Sequence, residues 1–240
     1  MKNMKTILLA LVAVFFAGNS FAHALWIETT GTGKVGQAQE VKVFYGEYAE
    51  NERDETAKWY SDVKELTLWL VGPDQQKVKL NTVLGANVAT STFTPEKDGQ
   101  YTLLVSHHAK DLAGTTKYQF LTSTTVQVGK PAAAVNGDAI SNELKVYPST
   151  GVAYKSNKAI KLKAVHNGAV KAGAKVSVFS PAGWSQTLTA GANGELEFTP
   201  VWPGKYVVEV TDYKEGKGEH DGQAYGALWQ GSTYSFDVSK

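Results

Sequence analysis

Five histidines carry most of the chemistry this chain could do: His23, His107, His108, His166 and His220. There is no cysteine, so no disulfide forms and any metal site must use nitrogen and oxygen donors. His23 stands out because of what precedes it. Lys2 and Lys5 make a positive start, Ile7 to Ala17 is an unbroken apolar run, and Ser20-Phe21-Ala22 puts small residues at the two positions a signal peptidase reads. The run is too short to span a bilayer. Cleavage after Ala22 makes His23 the first residue, where its α-amine and its imidazole can chelate one ion together. An α-amine titrates near neutrality and gives up its proton at modest cost. Ala22-His23-Ala24 also fits the small-x-small pattern, and cleavage after Ala24 would discard the histidine. The first cut leaves Ala24-Leu25-Trp26-Ile27 intact to begin a strand.

The remaining donors are weighed by the strands that would carry them. Period-two alternation puts Tyr101, Leu103, Val105 and His107 on one face and His108 on the other. Both can ligate one ion only if the strand has ended before them. A first strand beginning at His23 and lying beside this one would bring the terminal amine near either imidazole. Amine, His23 imidazole and one of His107 or His108 would form a three-nitrogen set suited to nickel, copper or zinc. The acidic stretch from Glu47 to Glu55 reads mostly as a solvated loop. Glu47 is the exception, because it directly follows the strand through Tyr45. The expected metal ligands are thus His23, His107, His108 and Glu47. Glu215 to Asp221 reads as a second polar loop, in which ordering around an ion would cost entropy. His166 precedes Asn167-Gly168 at a hairpin tip, where an exposed structural role fits.

The elements that must position these residues are strands. Val41 to Tyr45, Leu66 to Leu70, Tyr101 to Val105, Ile160 to Ala164 and Lys175 to Val178 alternate with period two. Turn signals such as Gly72-Pro73-Asp74, Asn167-Gly168 and Asn193-Gly194 separate them. A helical turn fits only between Asn51 and Lys64. Phe93-Thr94-Pro95 is followed by Gly99 and Tyr101, and Phe198-Thr199-Pro200 by Gly204 and Tyr206. Both read F-T-P-x-x-x-G-x-Y, and Pro73 and Pro181 precede them at nearly the same offset. A tyrosine at such a corner of a Greek-key sandwich can bond back to the chain. Two copies predict an all-β chain of two tandem immunoglobulin-like or transthyretin-like sandwiches after the signal peptide. The boundaries are 1–22 for the signal, 23–128 for the first sandwich, 129–139 for a small, proline-containing linker, and 140–240 for the second.

At this point the chain resembles a known family. The residues that carry the likeness are His23-Ala24-Leu25-Trp26-Ile27-Glu28, Leu144-Lys145-Val146-Tyr147-Pro148, and the hairpin from His166-Asn167-Gly168 to Gly173-Ala174-Lys175-Val176. Tyr225 to Trp229 and Ser232-Thr233-Tyr234-Ser235-Phe236 add a closing strand similar to the family's own. The family comprises bacterial periplasmic proteins of largely unassigned function, often labelled the periplasmic component of cobalt or nickel uptake systems, some of which accompany energy-coupling-factor nickel transporters. The resemblance implies a role in handling a divalent transition metal beside an inner-membrane transporter.

Composition narrows the alternatives. The formal charge of +1 includes Lys2 and Lys5, so the chain without residues 1–22 is near −1 and lacks the basic stripe that nucleic acid requires. No second apolar stretch is long enough to span a membrane. A signal peptide without an anchor points to the periplasm. No nucleophile elbow, zinc-protease word, phosphate loop or dinucleotide fingerprint occurs, and a non-enzymatic role is expected. Three readings compete: a periplasmic protein that binds nickel or cobalt for uptake or buffering, a metal-free interaction module of the envelope, and a copper-dependent oxidative enzyme with an N-terminal histidine site. The six tryptophans are expected mainly in cores and seams.

Overall fold

A computed structural model describes residues 23–240. The expected signal peptide, residues 1–22, lies outside the described residues. The strands of four or more residues are β1 (Ala24–Glu28), β2 (Gln39–Gly46), β3 (Leu68–Val71), β4 (Lys77–Leu80), β5 (Ala89–Phe93), β6 (Gly99–His108) and β7 (Thr116–Val128). They continue with β8 (Leu144–Pro148), β9 (Ile160–His166), β10 (Lys175–Phe179), β11 (Ser185–Thr189), β12 (Glu195–Phe198), β13 (Gly204–His220) and β14 (Gln223–Ser239). Helix among the described residues is confined to short 3-10 turns at Thr56–Lys58, Val63–Glu65 and Gly137–Ala139. None is long and apolar enough to cross a membrane.

The fold is all-β and sandwich-like. One sheet runs β1-β2-β5, ending on the short strand Val83–Leu84. A second centres on β9, with β8, β12 and Ala169–Val170 as its neighbours. Both lie over one long sheet of order β11-β10-β13-β14-β7-β6-β3-β4. The halves are therefore not joined by a linker alone: β7 and β14 pair in parallel, from Thr116 against Ala227 to Thr124 against Ser235. The 129–139 segment is tied down as well. Gln127 donates through Nε2 to the Lys130 carbonyl at 2.7 Å, and the Gln100 amide oxygen accepts from the Asn136 N–H at 2.9 Å.

Each half has its own core, and alternation explains how. Leu25, Ile27, Val41, Val43, Leu103 and Val105 fill the first. Leu144, Val146, Leu162, Val176, Val208 and Val210 fill the second. β1 is buried on both faces, because Trp26 points the other way into a seam with Phe44, Phe179 and Val207.

The repeat recurs as a three-dimensional motif. Gly99 and Gly204 both adopt positive φ, at 136° and 134°. A Cβ on Gly99 would lie 2.6 Å from Pro73, and one on Gly204 2.8 Å from Pro181, so each glycine lets its own half's proline sit against the backbone. Tyr101 and Tyr206 are buried. The Tyr101 hydroxyl accepts from the Glu96 and Lys97 amides, each at 3.2 Å, and donates to the Lys97 carbonyl at 3.0 Å. The Tyr206 hydroxyl accepts from the Trp202 amide at 3.3 Å. Tyr101→Phe should accordingly cost about 1–3 kcal/mol and Tyr206→Phe about 1 kcal/mol, as read by urea unfolding. Equal stability of both variants and the parent would remove the corner role.

Candidate metal centre

The start of β1 is placed by register. Ala24 pairs with Gly46 at the end of the β1–β2 ladder, so the next residues outward, His23 and Glu47, face each other. Gly46 has φ 148°, and a Cβ there would meet the Glu52 carbonyl at 2.5 Å. That close approach folds the acidic stretch back on itself. The Glu52 amide donates to the Glu47 carbonyl at 3.0 Å, and the Asp54 amide to the Tyr45 carbonyl at 3.0 Å. Trp59 fixes the return by donating its indole N–H to the Asp54 carbonyl at 3.0 Å. The loop is solvated at Glu50 and Glu52 but packed at both ends.

The result is an imidazole between two carboxylates. His23 Nδ1 lies 3.6 Å from Glu47 Oε1, and Nε2 lies 3.3 Å from Asp54 Oδ2. The His23 ring is 43% exposed, whereas Glu47 and Asp54 are only 13% and 18% exposed. Tyr45 sits beneath the ring with centroids 5.4 Å apart. Burial raises the Glu47 carboxyl above its ordinary value; His23 opposes that, and Glu52, Glu50 and Asp54 add to it. Burial, and then the charge of Asp54, raises the Tyr45 hydroxyl, which keeps it a neutral phenol. The neighbouring Arg53 is committed elsewhere, to Glu28 at 3.0 Å and to Asn51 at 2.6 Å, with its guanidinium 4.8 Å over the Phe44 ring.

Sequence reasoning expected His23, Glu47, His107 and His108 around one ion. The structure brings His23 and Glu47 together and places the other two with different partners. β1 does not lie beside β6: it pairs with β2 and turns its free edge to β14, where Thr233 Oγ1 donates to the Leu25 carbonyl at 2.6 Å and Ser235 Oγ to that of Ile27. β6 continues through His108, so the two imidazoles do point to opposite faces. His107 Nε2 is 3.0 Å from Asp62 Oδ1. Burial would raise the Asp62 carboxyl, but the Lys110 amide and then His107 outweigh it and hold it below the ordinary range. His108 lies by His220, with ring centroids 6.2 Å apart. Among the described residues no group of three or more His, Asp or Glu side chains converges tightly enough to hold an ion unaided.

Two further expectations are revised. Glu215 to His220 is not a loop but the outer arm of the β13–β14 hairpin, closed by Asp221 and Gly222 at φ 49° and 76°. Asp-Gly with two positive φ values is the tight turn that suits paired strands. From that arm His220 Nε2 reaches the Ala109 carbonyl at 2.9 Å. Asp54 was read as part of a charge run, and only the fold-back shows it beside His23. Trp26 and Trp59 are buried as expected, while Trp184 and Trp202 stand exposed, ring centroids 6.4 Å apart.

A family model described as a domain of unknown function, DUF4198, matches residues 20–212. No curated protein matches the sequence. Among solved structures, the chain is similar to a two-domain fibronectin type III segment of chicken tenascin, at 11% identity and a TM-score of 0.24, with 85% of this chain and 94% of that one covered. It is also similar to the BSP domain of a biofilm-associated protein, at 11% identity and a TM-score of 0.21, covering 89% of this chain and 30% of that one. A trypsin-activated alpha-2-macroglobulin from Escherichia coli is similar at 9% identity and a TM-score of 0.28, covering 90% of this chain and 16% of that one.

Proposed function

This chain belongs to the family described as a domain of unknown function, DUF4198, and we propose from its own residues that it is an exported protein that binds one divalent transition ion at its processed N-terminus. The supporting observation is the His23 imidazole lying between Glu47 and Asp54, one register step beyond the β1–β2 ladder. With cleavage after Ala22, three donors meet: the α-amine, Nδ1 of the same residue, and the Glu47 carboxylate. Two donors about 2.1 Å from an ion at a tetrahedral angle are about 3.4 Å apart, close to the 3.6 Å between Nδ1 and Oε1. Asp54 on the other ring nitrogen is the partner that orients an imidazole ligand and strengthens its basicity. Nickel, cobalt and copper all suit two nitrogens and one carboxylate. In this reading the protein buffers nickel or cobalt in the periplasm or hands it to an inner-membrane transporter. The partly exposed ring leaves one side of the ion open for that exchange.

The test is a competition titration of the exported protein, its terminus fixed by intact mass. One nickel, cobalt or copper ion per chain is expected. No uptake of any of the three by a chain whose mass begins at His23 would overturn the reading in favour of a metal-free interaction module.

A further inference from the structure

Glu209 was not singled out by its sequence, which reads Val207-Val208-Glu209-Val210. In β13, Val208 and Val210 point into the second core, and Val207 and Glu209 point the other way, toward the first half. Glu209 pairs in register with Ser177 on one side and Thr233 on the other, so it stands in the middle of the long sheet. There it lines one small cavity together with Ala24, Trp26, Gly46, Glu47, Tyr48 and Thr233. The residue as a whole is half-buried. Burial, and then the charge of Glu47, pushes its carboxyl up to about 8. Among the described residues, none makes a hydrogen bond or ion pair with its carboxylate. The nearby cations are spoken for: Arg53 by Glu28, and Lys205 by Asp237 at 2.7 Å.

We propose that the α-ammonium of His23, created by cleavage after Ala22, docks in this cavity against the Glu209 carboxylate and so ties the new terminus of the first sandwich to the second. Ala24, the residue next to the terminus, already lines the cavity, and strand alternation carries that side of β1 toward Glu209. A primary ammonium is compact and brings three donors. Before cleavage the same nitrogen is a neutral amide with no charge to offer. The inference stands apart from the metal reading, because it needs only His23 at the terminus. An ion taking that nitrogen would displace its proton, so the pair belongs to the metal-free protein.

The experiment is done with chelator-treated protein of verified mass, so that its outcome does not depend on whether any metal binds. The processed chain is compared with one carrying a single extra alanine ahead of His23, each with and without Glu209→Gln. Extension should lower the melting midpoint of the parent by about 2–4 °C and leave the Glu209→Gln background nearly unchanged. Acylation of the α-amine by a neutral activated ester should be about tenfold slower in the processed parent than in the extended chain, the factor that one charge-assisted hydrogen bond carries. This second readout needs no substitution at Glu209 and holds even if that variant fails to fold. Equal melting shifts in both backgrounds, equal acylation rates, or a mature mass that begins at Leu25 would each overturn the proposal.

Discussion

Adding one residue ahead of His23 should weaken nickel, cobalt or copper binding by more than the ~10–100-fold that follows loss of an outer partner of a metal ligand. The extension leaves every side chain in place. It turns the α-amine into an amide, which no longer offers a free lone pair, and moves the new amine a residue away. The chelate ring through the amine and Nδ1 is thereby opened. Glu47→Gln should weaken binding too, but less, because the two-nitrogen chelate survives. Acid should act in the same direction: amine and imidazole donors must shed their protons to ligate, so affinity falls as the pH is lowered. Competition titrations at two pH values check all of this. An extended chain that binds as tightly as the processed one would show that the terminus is not a ligand.

Trp26→Ala should destabilise the protein by about 3–5 kcal/mol, as for other large aromatic truncations in tight cores. Trp26 is 1% exposed, stacks on Phe44 with centroids 5.5 Å apart, and meets the Tyr48 ring edge-on. Its indole N–H donates to Glu28 at 2.9 Å, the same carboxylate that holds Arg53. Tyr48 in turn donates to the Lys205 carbonyl at 3.0 Å, and its buried hydroxyl is pushed up to about 12. The cavity left by truncation would therefore open between the halves rather than inside one of them. Urea unfolding followed by far-ultraviolet dichroism should show a single transition moved to lower denaturant. A loss below about 1 kcal/mol would mean that the seam relaxes to fill the gap.

The strands were legible because half-buried sheets alternate, and Ile160 to Ala164 alternates cleanly. The corner tyrosines were legible because the F-T-P-x-x-x-G-x-Y words repeat, and the two proline–glycine contacts show why the spacing is kept. Glu47 was legible by position alone. What was hidden depends on which face meets which. His23 and His107 looked like neighbours because both belong to strands of the first half, but β1 and β6 lie in opposite sheets. Asp54 was hidden by its acidic neighbours, since nothing local says that Gly46 turns the chain back. Glu209 was hidden by alternation itself: a charged residue between valines reads as solvent-facing, whereas here the outward face of one sandwich is covered by the other.

The parallel pair at the centre of the long sheet has a bearing on when the chain can fold. Gln119 and Gln230, hydrogen-bonded across that pair, are separated by 111 residues, and the Thr116–Thr124 edge of β7 stays unpaired until β14 has been made. Contacts so distant in the chain are slow to form, since the intervening loop must close first. A first half released alone would carry a bare strand edge from Thr116 to Thr124, the kind of surface that recruits other chains. For a chain read as crossing a membrane before it folds, late closure is an advantage: the thread stays passable, and the sheet is sealed only on the far side.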